Sequence, residues 1–308
     1  MTPVGHSKAA LAATDADRPG PRPIRFHASR RDRLRAPFAR ALPALRGLAF
    51  VAAVAIVATM AVRAGRDVET RDFAWWPLPP AFGAAVAWWL LLARGWALLV
   101  SGHSGRRDVS AWCRTQALRY LPGGIWAPAS RAVLVRGNVA DKVSTVAAEN
   151  VTALCAALSL AGVALAAARA FPWLLLALAI AAPPLASRLV AGRTRITPRR
   201  TLAATSSYLT GFFAYAFAAV LVQTAVSGVH EPLAVAGSAA LAWSAGLVVV
   251  IAPGGLGVRE FVYVAILSDT FPNAELVAAA VVLRLVTVFA ELSVLVVAGR
   301  PTLEPGSR

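Results

Sequence analysis

Charge is scarce in this 308-residue chain: Asp, Glu, Lys and Arg make up 15% of it, against 58% hydrophobic residues. Soluble domains carry about 25% charged and ~45–50% apolar residues, so a soluble fold is excluded. Acids are rarer still, since 15 Asp and Glu face 31 Lys and Arg, a net charge of +16. Cysteine is nearly missing. Cys113 lies in an arginine-bearing segment and Cys155 in an apolar run, which gives no disulfide framework. The four histidines, His6, His27, His103 and His230, stand singly, without the spacing of a zinc site. Nucleophile elbow, phosphate loop and aspartate-rich diphosphate motif are all lacking, so no catalytic residue, metal or cofactor is assigned.

What the chain has is long uncharged runs with basic residues between them, the pattern of an all-α polytopic membrane bundle. Residues 1–46 hold Lys8 and nine arginines broken up by prolines. They read as a basic, disordered cytoplasmic tail attached loosely to anionic headgroups. Phe26 and Phe38 are its only aromatic residues, too few for a nucleic-acid surface. Residues 29–35 resemble a twin-arginine export signal, but the apolar stretch that follows lacks a small-residue cleavage site and reads as a retained first helix over 47–62.

Further spans are expected at 80–100, 150–168, 170–187, 201–230, 232–258 and 274–298, seven in all, followed by a short tail over 301–308. Tryptophans 75 and 76 mark the outer end of the 80–100 span. With a cytoplasmic N-terminus, the arginine-rich loops 101–120 and 188–200 fall inside, as the positive-inside rule requires. That count holds only if 112–137, which carries Arg114, Arg119, Arg131 and Arg136, is re-entrant or interfacial. Residues 261–267 are too short to span alone, which leaves the side of the C-terminus open.

Gly-Gly occurs only twice, each time after proline in apolar surroundings: Leu121-Pro122-Gly123-Gly124-Ile125 and Ala252-Pro253-Gly254-Gly255-Leu256. An arginine follows each, Arg131 after nine residues and Arg259 after six, so the pair suggests an internal repeat resting on few positions. Proline lacks an amide hydrogen and paired glycines adopt angles no helix uses, leaving peptide groups unpaired. Hydrocarbon does not tolerate such groups, but a polar cavity does, and interrupted segments in two halves of a transporter point to its binding site. A helix resuming after Gly257 would aim free amides at an anionic group in that cavity. The competing reading is two ordinary turns at the membrane surface.

Arg94, Glu149, Arg259, Glu260, Arg284 and Glu291 interrupt apolar pattern, where a centred charge costs about 2.5–3.5 kcal/mol and so needs a partner or water. Arg284 and Glu291 are seven apart on one helical face, two turns distant, and are expected to meet groups on other helices. Glu149 and Glu260 are candidate counter-charges for arginines. Arg94 reads as a snorkelling or paired residue; Arg114, Arg119 and Arg136 read as interfacial contacts to headgroups. A cationic groove for a lipid phosphate and a set of structural ion pairs are the two readings of these charges.

The run Ile251-Ala252-Pro253-Gly254-Gly255-Leu256-Gly257-Val258-Arg259-Glu260-Phe261 resembles the signature of the lysylphosphatidylglycerol synthase transmembrane-region family of flippase-like membrane proteins. Arg119-Tyr120-Leu121-Pro122-Gly123-Gly124-Ile125-Trp126, with Arg131, Gly137 and Glu149 after it, is similar to the family's earlier half. The resemblance covers about residues 45–300. It implies re-entrant helices and movement of lipids, aminoacylated phospholipids or polyprenyl-linked sugars between leaflets, with glycolipid glycosyl transfer as the role of some relatives. The chain ends ten residues past the last expected span, so it is expected to lack the aminoacyl-transferase domain and to make no aminoacyl lipid.

The resulting expectation is a lipid or lipid-linked saccharide flippase, more a transporter than an enzyme. Its alternative is a polyprenyl-phosphate-dependent glycosyltransferase or the membrane subunit of one. Expected partners are an anionic phospholipid or polyprenyl-phosphate-linked lipid and the bilayer, with a homo-oligomer compatible and no nucleic acid. The candidate binding set is Arg119, Pro122, Gly123, Gly124, Arg131, Glu149, Pro253, Gly254, Gly255, Gly257, Arg259, Glu260, Arg284 and Glu291. Lysine occurs only as Lys8 and Lys142, which with the alanine richness points to a bacterium of high GC content and so to its inner membrane.

Overall fold

A computed structural model describes residues 73–120, 126–135, 138–168, 196–228, 230–249 and 253–298. Eight α-helices and two short 3-10 turns occur there, and no strand, so the described residues are all-α. The tail, the 47–62 and 170–187 spans, Pro122, Gly123 and Gly124 lie outside the described residues.

Four helices are long and apolar enough to cross a membrane: α1 (Leu78–Val100), α4 (Val139–Ala168), α5 (Pro198–Ser227) and α8 (Asn273–Ala298). Prolines in the first turns of α1 and α5 cost nothing, because the amides they lack have no helical acceptor. Each long helix buries a stripe and leaves the opposite face apolar. On α8 the stripe Leu276, Ala279, Leu283, Ala290 and Val294 is buried while Leu285, Phe289, Leu292 and Val296 are exposed, as lipid contact requires. Trp75 and Trp76, 72% and 68% exposed just ahead of α1, fit an interfacial position.

Helices α1 and α5 run antiparallel along their length. Ala74 N–H donates to the Ala225 carbonyl at one end (2.8 Å), and Ser207 Oγ donates to the Leu91 carbonyl near the middle (2.9 Å). Their closeness depends on missing side chains: a Cβ on Gly95 would sit 2.6 Å from the Tyr208 ring. Helix α4 lies against α6 (Pro232–Val248), with Leu165 packed on Gly237, and Trp89 Nε1 donates to the Thr287 carbonyl of α8 (3.0 Å).

The remaining helices form two hairpins. The first consists of α2 (Arg106–Gln116), a 3-10 turn (Ala117–Tyr120) and α3 (Trp126–Leu134). Its two ends return to one level: Gly105 and Arg107 from its start, and Leu134 and Val135 from its finish, line one void of about 780 Å³ with Ser101, Asp141 and Arg200. The second consists of α6, a 3-10 turn (Pro253–Gly255) and α7 (Val258–Leu267). Its ends also meet, with the His230 and Phe271 rings 4.5 Å apart.

These hairpins start from opposite ends of the bundle. The first follows the C-terminal end of α1; the second follows the C-terminal end of α5, which is the end where α1 begins. Their 3-10 turns touch in the interior. In a bilayer such an arrangement makes both segments re-entrant, with their 3-10 turns against each other rather than against lipid alone.

Two boundaries differ from the sequence reading. The 232–258 run is not one continuous helix: α6 stops at Val248, after a rise of about 25 Å by helix geometry, and α7 carries the chain back. The end of α8 therefore lies on the side of Ser101. Helix α4 begins eleven residues before the expected 150, because Asn138 and Asp141 form a reciprocal cap: Asp141 N–H donates to Asn138 Oδ1 (2.8 Å) and Asn138 N–H to Asp141 Oδ2 (3.3 Å). A charge-free window starts too late to see it.

Candidate functional site

The tips of the two hairpins border a cavity of about 140 Å³. Arg119 and Arg131 reach it from the first hairpin, Gly254, Gly255 and Arg259 from the second, and Glu149 from α4. Trp89, Trp112, Gln116, Tyr208, Trp243 and Gly246 complete much of its wall.

Arg131 forms a buried ion pair with Glu149, and its Nη2 donates to Gln116 Oε1 at 3.1 Å. Trp112 Nε1 also donates to Glu149 Oε1 (2.7 Å), so this carboxylate ties α2, α3 and α4 together. Its other oxygen, Oε2, has no partner among the described residues. Arg119 is not an interfacial residue. It lies at the tip of the first hairpin, where Nη2 is 3.1 Å from Glu291 Oε2 and the guanidinium covers the Trp89 ring at 4.7 Å.

At the second tip, Gly254, Gly255 and Gly257 have φ of 61°, 71° and 80°, angles that favour glycine and break the helix. The freed Gly254 carbonyl accepts from Arg284 Nη2 at 3.0 Å. The Gly257 amide is not available to a ligand, because Glu260 Oε2 accepts its hydrogen (2.8 Å) and caps α7. Glu260 thus closes its own helix, and among the described residues it forms no ion pair with an arginine. Pro253 opens the turn, and Arg284 and Glu260 line a smaller void of about 20 Å³ behind the cavity, which Arg259 also borders.

Arg259, unlike Arg119 and Arg131, is in no ion pair among the described residues. It lies over the Trp243 ring at 5.6 Å, and its Nε is sealed from solvent without a hydrogen-bond partner among the described residues. Gly246 and Gly255 make room for it, since a Cβ on either would lie within 2.8 Å of its side chain. Arg94, by contrast, is exposed on α1 and takes no part in the cavity.

The cavity joins candidate residues from both halves of the sequence, while Glu291 and Arg284 hold the tips from α8. The sequence reading missed Trp112, Trp89 and Trp243, which support the cations, and Gly246, which makes room for one of them. A glycine inside an apolar run gives no sign of what it lies against until α7 folds back upon it.

A family model described as the lysylphosphatidylglycerol synthase TM region matches residues 132–294, more than half of the chain. The chain belongs to the lysylphosphatidylglycerol synthase TM region family. No curated protein matches it. The match includes Glu149, the whole second hairpin and both tip-holding residues of α8, whereas Arg119 and Arg131 precede it. Membership, together with four apolar helices of spanning length, makes the chain a membrane protein of lipid-related function.

Proposed function

We propose that this protein carries a lipid or lipid-linked saccharide between leaflets, binding the anionic headgroup in the cavity between the hairpin tips while the tails stay in the bilayer. The supporting observation is the convergence of Arg119, Arg131 and Arg259 with a broken backbone on one cavity. An ionised group crosses bare hydrocarbon only at prohibitive cost. A groove that replaces its hydration speeds exchange without an energy source, since equal access from both sides leaves the equilibrium unchanged.

The protein belongs, in this reading, in a bacterial inner membrane with its N-terminus in the cytoplasm. The arginines at the Ser101 end, Arg106, Arg107, Arg199 and Arg200, then lie on the cytoplasmic side. Reconstitution with fluorescent phospholipids and polyprenyl-phosphate sugars tests the function. Leaflet exchange that Arg259→Ala slows at equal folded protein supports transport. Sugar transfer without exchange would favour the glycosyltransferase instead.

A further inference from the structure

We infer that the cavity selects a single phosphodiester monoanion, with Arg259 as its anchor and Tyr208 as a second donor; this rests on the transport reading and specifies its substrate. Four cations, Arg119, Arg131, Arg259 and Arg284, surround the two tips with three carboxylates, Glu149, Glu260 and Glu291. Two cations are held by acids, Arg131 by Glu149 and Arg119 by Glu291, and a third, Arg284, donates to the Gly254 carbonyl. One positive charge is left over. Arg259 and Arg284 share it with Glu260 beside them, and of the two Arg259 is the one that lines the cavity and whose Nε has no partner among the described residues.

Tyr208 adds an independent observation. Its ring is buried against Gly95, its hydroxyl has no hydrogen-bond partner among the described residues, and it lines the same cavity. Unmade hydrogen bonds of buried groups are costly, and although Glu149 Oε2 on the same wall is an open acceptor, it leaves both Arg259 Nε and the Tyr208 hydroxyl unbonded among the described residues, so these two donors call for an acceptor in the cavity. A phosphodiester supplies two non-ester oxygens and one negative charge. It neutralises the site, whereas a phosphomonoester or a diphosphate would leave excess negative charge buried.

Size agrees with charge. A cavity of about 150 Å³ takes a benzene ring of six heavy atoms. This one, about 140 Å³, has room for the five heavy atoms of a phosphodiester group and leaves the rest of the headgroup outside. Selection thus acts on the phosphate and its charge rather than on the substituent beyond it.

Calorimetry on the full chain in detergent micelles at pH 8 tests this with dihexanoyl-phosphatidylglycerol, dihexanoyl-phosphatidic acid, dimethyl phosphate and inorganic pyrophosphate. The phosphatidylglycerol should bind about tenfold or more tightly than the phosphatidic acid or pyrophosphate. Arg259→Gln should weaken it by about tenfold or more, as loss of a charge-assisted bond implies, with part recovered in Arg259→Lys. Weaker binding of dimethyl phosphate supports a lipid as the source of the diester; equal binding with the same Arg259 dependence supports the charge rule with a soluble diester as ligand.

Binding unchanged in Arg259→Gln, or tighter binding of the phosphatidic acid or pyrophosphate, overturns the inference. Should the glutamine variant fail to fold, the comparison of ligands on the unaltered protein decides alone. Phosphatidylglycerol binding without leaflet exchange would sink the transport reading instead. Exchange that ignores the charge of the phosphate would sink only this inference.

Discussion

Arg119 of the first hairpin and Glu291 of α8 meet 3.1 Å apart, and two turns earlier on the same helix Arg284 holds the Gly254 carbonyl of the second hairpin. One face of α8 thereby fastens both tips. Removing one member of a buried pair leaves an uncompensated charge, which costs about 3–5 kcal/mol. Glu291→Ala should lower the melting temperature in detergent clearly, and adding Arg119→Ala should cost less than the two single losses together. A strictly additive double-mutant cycle would contradict the pairing.

The carboxylate of Glu149 accepts from both Arg131 and Trp112, so charge and hydrogen bonding are separable there. Glu149→Gln keeps an acceptor for the indole and should be more stable than Glu149→Ala, by about 1 kcal/mol or more, the range of one buried hydrogen bond. Thermal unfolding of the two variants measures it. Equal stability would mean that the Trp112 contact contributes nothing.

The cavity was legible in the sequence as chemistry but not as geometry. Two Pro-Gly-Gly triplets announce broken helices, since no regular coil uses the backbone angles of Gly254, Gly255 and Gly257. The seven-residue spacing of Arg284 and Glu291 announces one face with separate partners on other elements, and both partners are found. Hydropathy could not show that the 232–258 run turns back, because a returning helix is as apolar as a crossing one. Nor could it tell that the Gly257 amide is capped by Glu260, since a short helix can satisfy its own terminus.

Gly246 faces the Arg259 side chain so closely that a Cβ would lie 2.6 Å from it. Gly246→Ala should push the guanidinium out of place and slow leaflet exchange by about tenfold or more, the cost of a misplaced charge-assisted contact. The protein should still fold, as an arginine side chain gives way more readily than backbone. Unchanged exchange would show that the position of Arg259 does not matter. Gly255→Ala should be worse, because at a φ of 71° it would also meet the Gly246 Cα at 2.9 Å.

The hairpins make a topological prediction. Single cysteines replacing exposed His230 and Asp269 should react with an impermeant maleimide from one side of the membrane. Those replacing exposed Ser104 and Asn138 should react from the other. The native Cys113 and Cys155 are buried and should stay silent. Labelling of positions 230 and 269 from opposite sides would mean that α6 and α7 together cross the bilayer, and the second hairpin would be wrong.

The central claim concerns passage of an anionic headgroup past Arg259. Liposomes of defined composition, holding either the unaltered protein or Arg259→Gln at equal folded amount, are loaded with a tail-labelled phosphatidylglycerol and quenched from outside. The account predicts that the unaltered protein exposes the inner-leaflet pool to the quencher far faster than protein-free vesicles do, with Arg259→Gln falling back by about tenfold or more. Exchange at the protein-free rate, or equally fast exchange in both proteins, would contradict it.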